Sequence, residues 1–416
     1  MILTYHRSTV IKLMRAGGYM TDNESTSIMK KILQGMLILL IIVSLIISGS
    51  VVYIIATNHN NLGKVVAVYT LIKTQSIEDI SLRELFQGSV KGMVDVLDDP
   101  YAAYLDSATY SAMMERIGGS YGGVGLLIQK DVEGRLVVVS PFRGTPAHRA
   151  GVAAGDFITQ IDGESTADME LSIAASLMQG EPGTEVTITV YRTGQEVRDI
   201  DIIREVIIIP TVEAQILSQQ PDIAYIHLST FNENTGIQLR RYLEELRTEG
   251  FRALILDLRN NPGGTLQSAI EVAEEFIPEG PVVYMVTRAG TSSLDARGPA
   301  IEVPVVVLVN YGSASASEIV AGAIQDTGVG ILVGETTFGK GLVQGVFPIG
   351  GGSALILTTA KYLTPAKRDI NEEGITPDIE IILTPEEALR ALRDAPNPEN
   401  DPQLQKAIEI LKSQIN

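Results

Sequence analysis

The chain reads as an α/β (α+β) protein with an inserted β-rich module and an N-terminal apolar helix. Three observations say so. From about residue 206 to 385, short apolar runs alternate with amphipathic stretches and glycine turns, the pattern of a sheet with helical crossovers. Between residues 118 and 205 the texture changes to short strands and Gly-rich turns, which marks a separate β-rich unit. Ahead of both, Ile32 to Ala56 is a run of twenty-five residues without a charge. The 416 residues exceed one average domain and divide into an N-terminal segment 1–31, an apolar helix 32–57, a helical region 58–117, the β-rich module 118–205, the core 206–385 and a helical tail 386–416.

Twenty-five apolar residues suffice to cross the hydrocarbon core of a membrane. The run continues past Ser48-Gly49-Ser50, where a cleaved signal peptide would end, so an uncleaved anchor is expected. Lys30 and Lys31 abut its N-terminal side, with Arg7, Lys12 and Arg15 further back. The positive-inside rule then gives a single-pass protein of the cell membrane, with residues 1–31 cytoplasmic and the bulk extracytoplasmic. Met20 stands beside Met1 as a candidate start.

Residues 62–117 place Leu82, Leu85, Phe86, Val90, Met93, Val94 and Leu97 at helical spacing, and Asp98-Asp99-Pro100 breaks that helix. The β-rich module follows. Ser120–Gln129 is a glycine loop opening into a strand; Ser140–Gly163 carries PAHRAGVAAGD; Ile188–Arg192 closes the unit as a strand. That order resembles a PDZ domain. The resemblance implies a loop whose backbone N–H groups receive a peptide's terminal carboxylate, while the peptide adds a strand to the sheet edge. The loop maps to Gly122, Gly123, Val124 and Gly125, and Leu126 and Ile128 line the groove.

In the core, Ala224–Leu228 reads as a strand and Thr235–Thr248 as an amphipathic helix. Ala253–Leu258 is a buried strand that runs into Arg259-Asn260-Asn261-Pro262-Gly263-Gly264 and a helix from Leu266. Strand, glycine turn, helix is a place for an anion pocket, or simply a tight turn. A second such junction lies at Val305–Val309, after which come Ser313, Ser315 and Ser317 and a helical pattern over Ala316–Gln325. A hydroxyl there sits beside unpaired N–H groups and the positive end of the helix dipole. It is placed to attack, since those N–H groups also hold a developing oxyanion. Helix capping is the competing role for all three serines.

The supply of bases narrows the choice. With no cysteine, thiol chemistry, zinc–cysteine sites and disulfides are excluded, and no cofactor or metal motif appears. Of the four histidines, His6 and His59 flank the apolar run, His148 lies in the β-rich module and His227 in a strand, leaving His227 as the one alternative base. Lys340, between Gly339 and Gly341 with no acid from 336 to 368, is the other kind of base a serine can use, once burial lowers its pKa. Lys361 and Lys367 compete with it, the latter beside Arg368 and Asp369 at a solvated site. Gly334–Lys340 also imitates a phosphate-binding loop, but Gly341 stands where Ser or Thr would hold the metal, and LVQGVFPI reads as strand. A net charge of −18 argues against nucleic acid and anionic surfaces as partners.

SASASEIVAGAIQD followed by FGKGLVQ resembles the carboxyl-terminal processing peptidases, or tail-specific proteases, of the S41 serine peptidase family. DDPYAAYLD (Asp98–Asp106), Lys361–Pro365, Gly374–Asp378 and Asp401–Ala407 resemble its other segments, so the likeness covers about residues 62–416. It implies a crotonase-like, S41-type core with Ser315 as nucleophile, Lys340 as general base 25 residues on, and Gln344 orienting the lysine. It assigns the oxyanion hole to Gly263 or Gly264 together with Ala316. Glu318, one turn into the helix, is expected to support the helix start, with positioning of nearby groups as its alternative role. Substrates would be proteins or peptides with free C-termini; no metal or cofactor is implied. In some members the Asp98–Asp106 region builds a dimer, so a homodimer is one expected assembly. A membrane-anchored PDZ adaptor with an inactive core is the competing class, against which the intact Ser315, Lys340 and Gln344 count. A third expectation is that the empty PDZ domain gates the enzyme, with Gly118-Gly119 and Arg204-Glu205 as hinges.

Overall fold

The computed structural model describes residues 22–393 and 395–415. Residues 1–21, with Met1, Met20, Arg7, Lys12 and Arg15, lie outside the described residues. The chain divides into two compact units, Met1–Val90 and Lys91–Asn416.

The first unit holds a 54-residue helix, α1 (Asp22–Gln75), which contains the uncharged run. The side chains of residues 32, 47 and 50–56 lie outside the described ones. Among the described residues no helix is long and apolar enough to cross a membrane. Helix α2 (Leu82–Asp95) starts on a capping box: Ser81 N–H donates to Glu84 Oε2 at 2.8 Å and Glu84 N–H to Ser81 Oγ at 3.2 Å. It ends ahead of Asp98-Asp99-Pro100, as expected.

In the second unit β1 (Ala103–Leu105) leads to α3 (Ser107–Gly118), capped by Asp106, whose carboxylate accepts from Thr109 N–H at 2.8 Å. Strand β2 (Ser120–Gly123) opens the β-rich module. It continues with β3 (Leu126–Lys130), β4 (Leu136–Pro141), α4 (Pro146–Arg149), β5 (Phe157–Ile161), β6 (Glu164–Ser165), α5 (Leu171–Met178), β7 (Glu185–Tyr191), β8 (Arg198–Ile203) and β9 (Glu205–Ile208). The sheet runs β3-β4-β5-β7-β8 around a core of Val138, Ile158, Ile161 and Ile188. β3 is therefore an open edge.

Two expectations for this module need correction. The strand over 188–192 is not the last; β8 pairs outside it, and its charge-rich sequence RDIDII hides it because one face meets solvent. Gly122 and Gly123 are not in a loop: they pair with Val206 and Glu205 in a β2–β9 ribbon that joins the module to the core. Only Val124 and Gly125 remain as the turn into β3, and their N–H groups have no acceptor among the described residues. The two expected hinge positions are both hydrogen-bonded. Gly119 takes the left-handed conformation (φ 61°) and its carbonyl accepts from Ile209 N–H. Arg204 is 8 % exposed, its guanidinium donating to Leu177 O, Glu185 O and Thr184 Oγ1 at 2.7–3.0 Å.

The core consists of β10 (Val212–Leu217), β11 (Gln220–Leu228), α6 (Thr235–Glu249), β12 (Ala253–Asp257), α7 (Leu266–Glu274), β13 (Glu279–Thr287), β14 (Gly290–Arg297), β15 (Val305–Val309), α8 (Ala316–Thr327), β16 (Gly330–Gly334), β17 (Leu342–Gly350), β18 (Ser353–Leu363), β19 (Ile379–Glu380), α9 (Pro385–Arg393) and α10 (Pro402–Ile415). One sheet runs β10-β11-β12-β15-β16-β19, parallel from β11 onward. Both its faces are covered, which is why its strands read as unbroken apolar runs. Leu239, Leu243, Ala269, Val272 and Val320, from α6, α7 and α8, bury Leu254, Leu256 and Val307 on one face. Leu404, Ala407 and Leu411 of α10 bury Ile255, Val306 and Leu308 on the other. A second sheet pairs β18 with β1, β13 and β17, and β13 with β14.

Candidate active site

Two strand-to-helix turns meet at the carboxyl ends of β12 and β15. Asn310 accepts Asn260 N–H at 2.9 Å and donates to Asn260 Oδ1 at 3.0 Å, and Ala314 N–H donates to Asn261 O at 3.0 Å. The three serines sort themselves in this frame. Ser313 Oγ accepts from Asn310 N–H and donates to Leu258 O at 2.8 Å; Ser317 Oγ donates to Asn261 O at 2.8 Å; both are fully buried. They bolt the turns together. The Ser315 hydroxyl donates to no described residue; it stands in the capping box of α8, opposite the Glu318 N–H. It sits at the N-cap of α8 with φ 56° and ψ −113°, a backbone that a non-glycine residue rarely adopts and that the packed turns hold in place.

The same turns leave two donors unused. Asn261 Oδ1 takes the Gly263 N–H at 2.9 Å, while the N–H groups of Gly264 and Ala316 have no acceptor among the described residues. Gly263 has φ 94°, and a Cβ on it would stand 2.8 Å from Ala316 N and 2.9 Å from Ser315 Cβ. The glycine turn is thus pressed against the serine, leaving room for nothing larger. The Asn261 side chain, two residues upstream, occupies the Gly263 N–H and leaves that of Gly264 free.

Lys340 arrives on the extended link between β16 and β17. No helix follows it, which disposes of the phosphate-loop reading. Glu318, fully buried in the first turn of α8, organises that link. Its Oε1 accepts from Thr337 Oγ1 (2.6 Å) and Gly339 N–H (2.7 Å), and its Oε2 from Ser315 N–H (2.8 Å) and Lys340 N–H (2.9 Å). Glu318 thus fills both roles expected of it, capping α8 and positioning the neighbouring link. The Lys340 ammonium lies 4.6 Å from the centroid of the Tyr101 ring. Burial pulls its pKa below the usual lysine value, against the Glu318 and Asp99 carboxylates, which favour the charged form. Tyr362, 1 % exposed, donates its hydroxyl to Ser315 O at 3.2 Å. Burial raises its pKa, so it stays a neutral phenol.

Ser315, Ala316, Gly263, Gly264, Lys340 and Gln344 all line one cavity of about 730 Å³. Gln344 is in place, though its amide donates to Thr358 Oγ1 at 3.4 Å rather than to the lysine. His227 is elsewhere: it lines a different cavity with Tyr225, Asp257 and Arg259. Lys361 sits 3.6 Å from Asp369 and Lys367 over the Tyr284 ring, neither facing Ser315. Sequence reasoning missed Tyr101, Tyr362 and Asn261 as site residues. The first two were visible only as members of the DDPYAAYLD and KYLTP segments. No grouping of His, Asp and Glu that could hold a metal occurs among the described residues.

Comparison with known proteins fits this geometry. Residues 222–381 match the model of peptidase family S41, 137–192 a PDZ domain, and 52–109 the N-terminal domain of the activating protease CtpB. The chain is 39 % identical over 335 residues to the carboxyl-terminal-processing protease of Synechocystis sp., covering 79 % of this chain and 77 % of the relative. It is 36 % identical to the carboxy-terminal processing protease CtpB of Bacillus subtilis, covering 76 % and 67 %. A solved structure from Bacteroides fragilis assigned to the S41 proteases shares the fold at 15 % identity and a TM-score of 0.52, over 83 % of this chain and 97 % of that one. With its PDZ module, its match to the S41 family model and these relatives, the chain belongs to the carboxyl-terminal processing proteases, serine peptidases of family S41.

Proposed function

We propose that the protein is an endopeptidase with a Ser315/Lys340 dyad, anchored in the cell membrane by Ile32–Ala56 and recruiting substrates by their C-termini. The observation that carries this is the sorting of the serines: Ser313 and Ser317 donate to buried carbonyls, and Ser315 alone of the three lines the cavity that Lys340 shares.

In the proposed reaction neutral Lys340 removes the proton from Ser315 Oγ as the oxygen bonds to the scissile carbonyl carbon. The oxyanion accepts hydrogen bonds from the N–H groups of Gly264 and Ala316 at the positive end of α8. The resulting ammonium returns its proton to the departing amine, which leaves the acyl-enzyme; Lys340 then activates water to hydrolyse it. Gln344, four residues beyond the base in the same cavity, orients the lysine when substrate fills the groove. The PDZ module would hold a substrate tail as an added strand on β3, with Leu126 and Ile128 facing it and the Val124 and Gly125 N–H groups near its carboxylate. The uncharged run and the lysines ahead of it support a single-pass anchor with the protease outside the cytoplasm.

The test is cleavage of an unfolded reporter with an apolar C-terminal tail by the full chain in detergent, beside Ser315→Ala and Lys340→Ala, across pH 6–10. Loss in both variants is expected. Cleavage that survives in Lys340→Ala rejects the dyad, and binding without cleavage by the unmutated chain favours an inactive PDZ adaptor. Fractionation with membranes tests the anchor, and sedimentation of the solubilised chain tests the homodimer that the resemblance implies.

A further inference from the structure

The cavity around Ser315 has an unusual charge for this protein. The chain carries 50 acidic residues against 32 basic ones, yet no Asp or Glu lines the cavity. Its charged lining residues are Lys340 and Arg116. Since the base must be neutral to act, Arg116 is the permanent charge of the groove.

Arg116 is also placed as a recognition residue. It stands one helical turn beyond Met113 on the face of α3 that meets the cavity. Its guanidinium is exposed and makes no hydrogen bond or ion pair with any described residue. The backbone that carries it is fixed: Glu233 N–H donates to Ile117 O at 2.9 Å and Asn234 Nδ2 to Gly118 O at 2.8 Å. A free guanidinium on a rigid helix, beside a scissile-bond site lined by apolar groups such as Met113 and Ile117, presents a fork suited to a carboxylate. An acidic surface elsewhere repels acidic chains, so the local cation matters more here.

We propose that Arg116 is a specificity residue of the cleavage groove, selecting chains with a carboxylate close to the scissile bond. The proposal rests on the Ser315/Lys340 reading. The carboxylate can come from an Asp or Glu side chain or from a nearby free C-terminus, and the two are separable.

The experiment compares kcat/KM for matched peptides, with Glu or Gln placed in turn at each position flanking the cut. A second set ends in a free acid or an amide at increasing distance from it. The unmutated chain should prefer the acid by about threefold to tenfold at one position, with the preference shrinking as salt rises. Arg116→Gln should bring that ratio to about one, and Arg116→Glu should reverse it in favour of Lys at the same position. A Glu/Gln effect identifies a side chain as the ligand, and an acid/amide effect the terminus. Equal ratios in the unmutated chain and Arg116→Gln overturn the proposal. If nothing is cleaved, the protease reading fails on its own; binding of the same amidated peptides to the Ser315→Ala variant, with and without Arg116→Gln, still reads the charge preference.

Discussion

The backbone N–H groups of Ser315 and Lys340 donate to one and the same oxygen, Oε2 of Glu318, at 2.8 and 2.9 Å. The proposed nucleophile and base come from different turns, 25 residues apart, and a single buried carboxylate registers one against the other. Its other oxygen holds Thr337 and Gly339, so all four donors lie on the two segments that must meet.

Glu318→Gln keeps the volume but replaces one acceptor oxygen with an NH₂ that faces donors. Hydrogen bonds to a charged acceptor contribute about 1.5–3 kcal/mol each. A loss of roughly 2–4 kcal/mol in stability is therefore expected, with kcat falling at least about tenfold. Denaturant unfolding and steady-state cleavage check both. A variant that retains full kcat would mean that Oε2 does not set the dyad geometry.

Lys340 supplies a pH prediction whose sign is fixed by burial. Its folded pKa lies below the ordinary lysine value, so between the two the unfolded chain binds more protons and stability rises with pH. Cleavage should likewise rise with pH as the lysine loses its proton, with the midpoint below the usual lysine range. Lys340→Met should abolish cleavage and raise Tm at pH 7, a gain that disappears towards pH 10. Thermal melts across that range decide it.

Tyr101 acts on the same proton. A ring 4.6 Å from the Lys340 nitrogen stabilises the ammonium over the amine. Tyr101→Phe keeps the ring and should leave the acid limb of the cleavage profile in place. Tyr101→Leu keeps an apolar neighbour without the π face and should move that limb to lower pH. A Leu variant that merely lowers cleavage at every pH would reduce Tyr101 to packing.

How much of this was legible beforehand follows from the physics of each part. The buried strands Val305–Val309 and Ala253–Asp257 announce themselves because a sheet covered on both faces leaves no polar interruption. The stretches that carry Ser315 and Lys340 were legible because each is a short glycine- or serine-rich run at a strand end. The choice among three serines was not, since only tertiary bonds from Asn310, Leu258 and Asn261 occupy the other two. The roles of Tyr101 and Tyr362 depend on contacts hundreds of residues apart or across sheets, which local pattern does not carry. The β2–β9 ribbon escaped for a related reason: Gly122 and Gly123 look like loop residues until Glu205 and Val206 arrive to pair with them.

Gly263 tests the proposed oxyanion site. Its φ of 94° already strains any side chain. A methyl there would meet Ala314 O at 2.6 Å, Ala316 N at 2.8 Å and Ser315 Cβ at 2.9 Å. Gly263→Ala should cost about 1–3 kcal/mol of stability and, by displacing the Ala316 N–H, lower kcat about a hundredfold or more. A peptide aldehyde or boronate, which forms the tetrahedral adduct, should lose affinity more than a plain substrate peptide. Equal losses for the two would point to general distortion of the turn instead.

The turn that carries Gly263 is anchored from behind by a buried ion cluster, and that anchor can be tested apart from catalysis. Arg259, 8 % exposed, donates through Nε to Asp257 Oδ1 at 3.0 Å, through Nη2 to Asp257 Oδ2 at 2.5 Å, and through Nη1 to Gln403 Oε1 at 3.0 Å. Its Nη2 also lies 2.8 Å from Asp401, and Tyr225 OH donates to Asp257 at 2.7 Å. Burial pushes the Asp257 pKa up, but the Arg259 guanidinium outweighs it and holds the carboxyl below the usual range. The cluster thus ties the C-terminal helix α10 to the strand end that precedes the glycine turn. Arg259→Ala strands two buried carboxylates and should destabilise by about 3–5 kcal/mol, while Arg259→Lys recovers only part because a point charge cannot span both partners. The sign with pH follows from Asp257: its contribution is present above the unfolded carboxylate pKa and is lost as pH falls through the lowered one. The Arg259→Ala deficit should therefore narrow in acid below the ordinary carboxylate pKa of about 4, measured by urea unfolding from about pH 7 down to about pH 2. A deficit that stays constant would mean that the arginine stabilises by packing rather than by its charge.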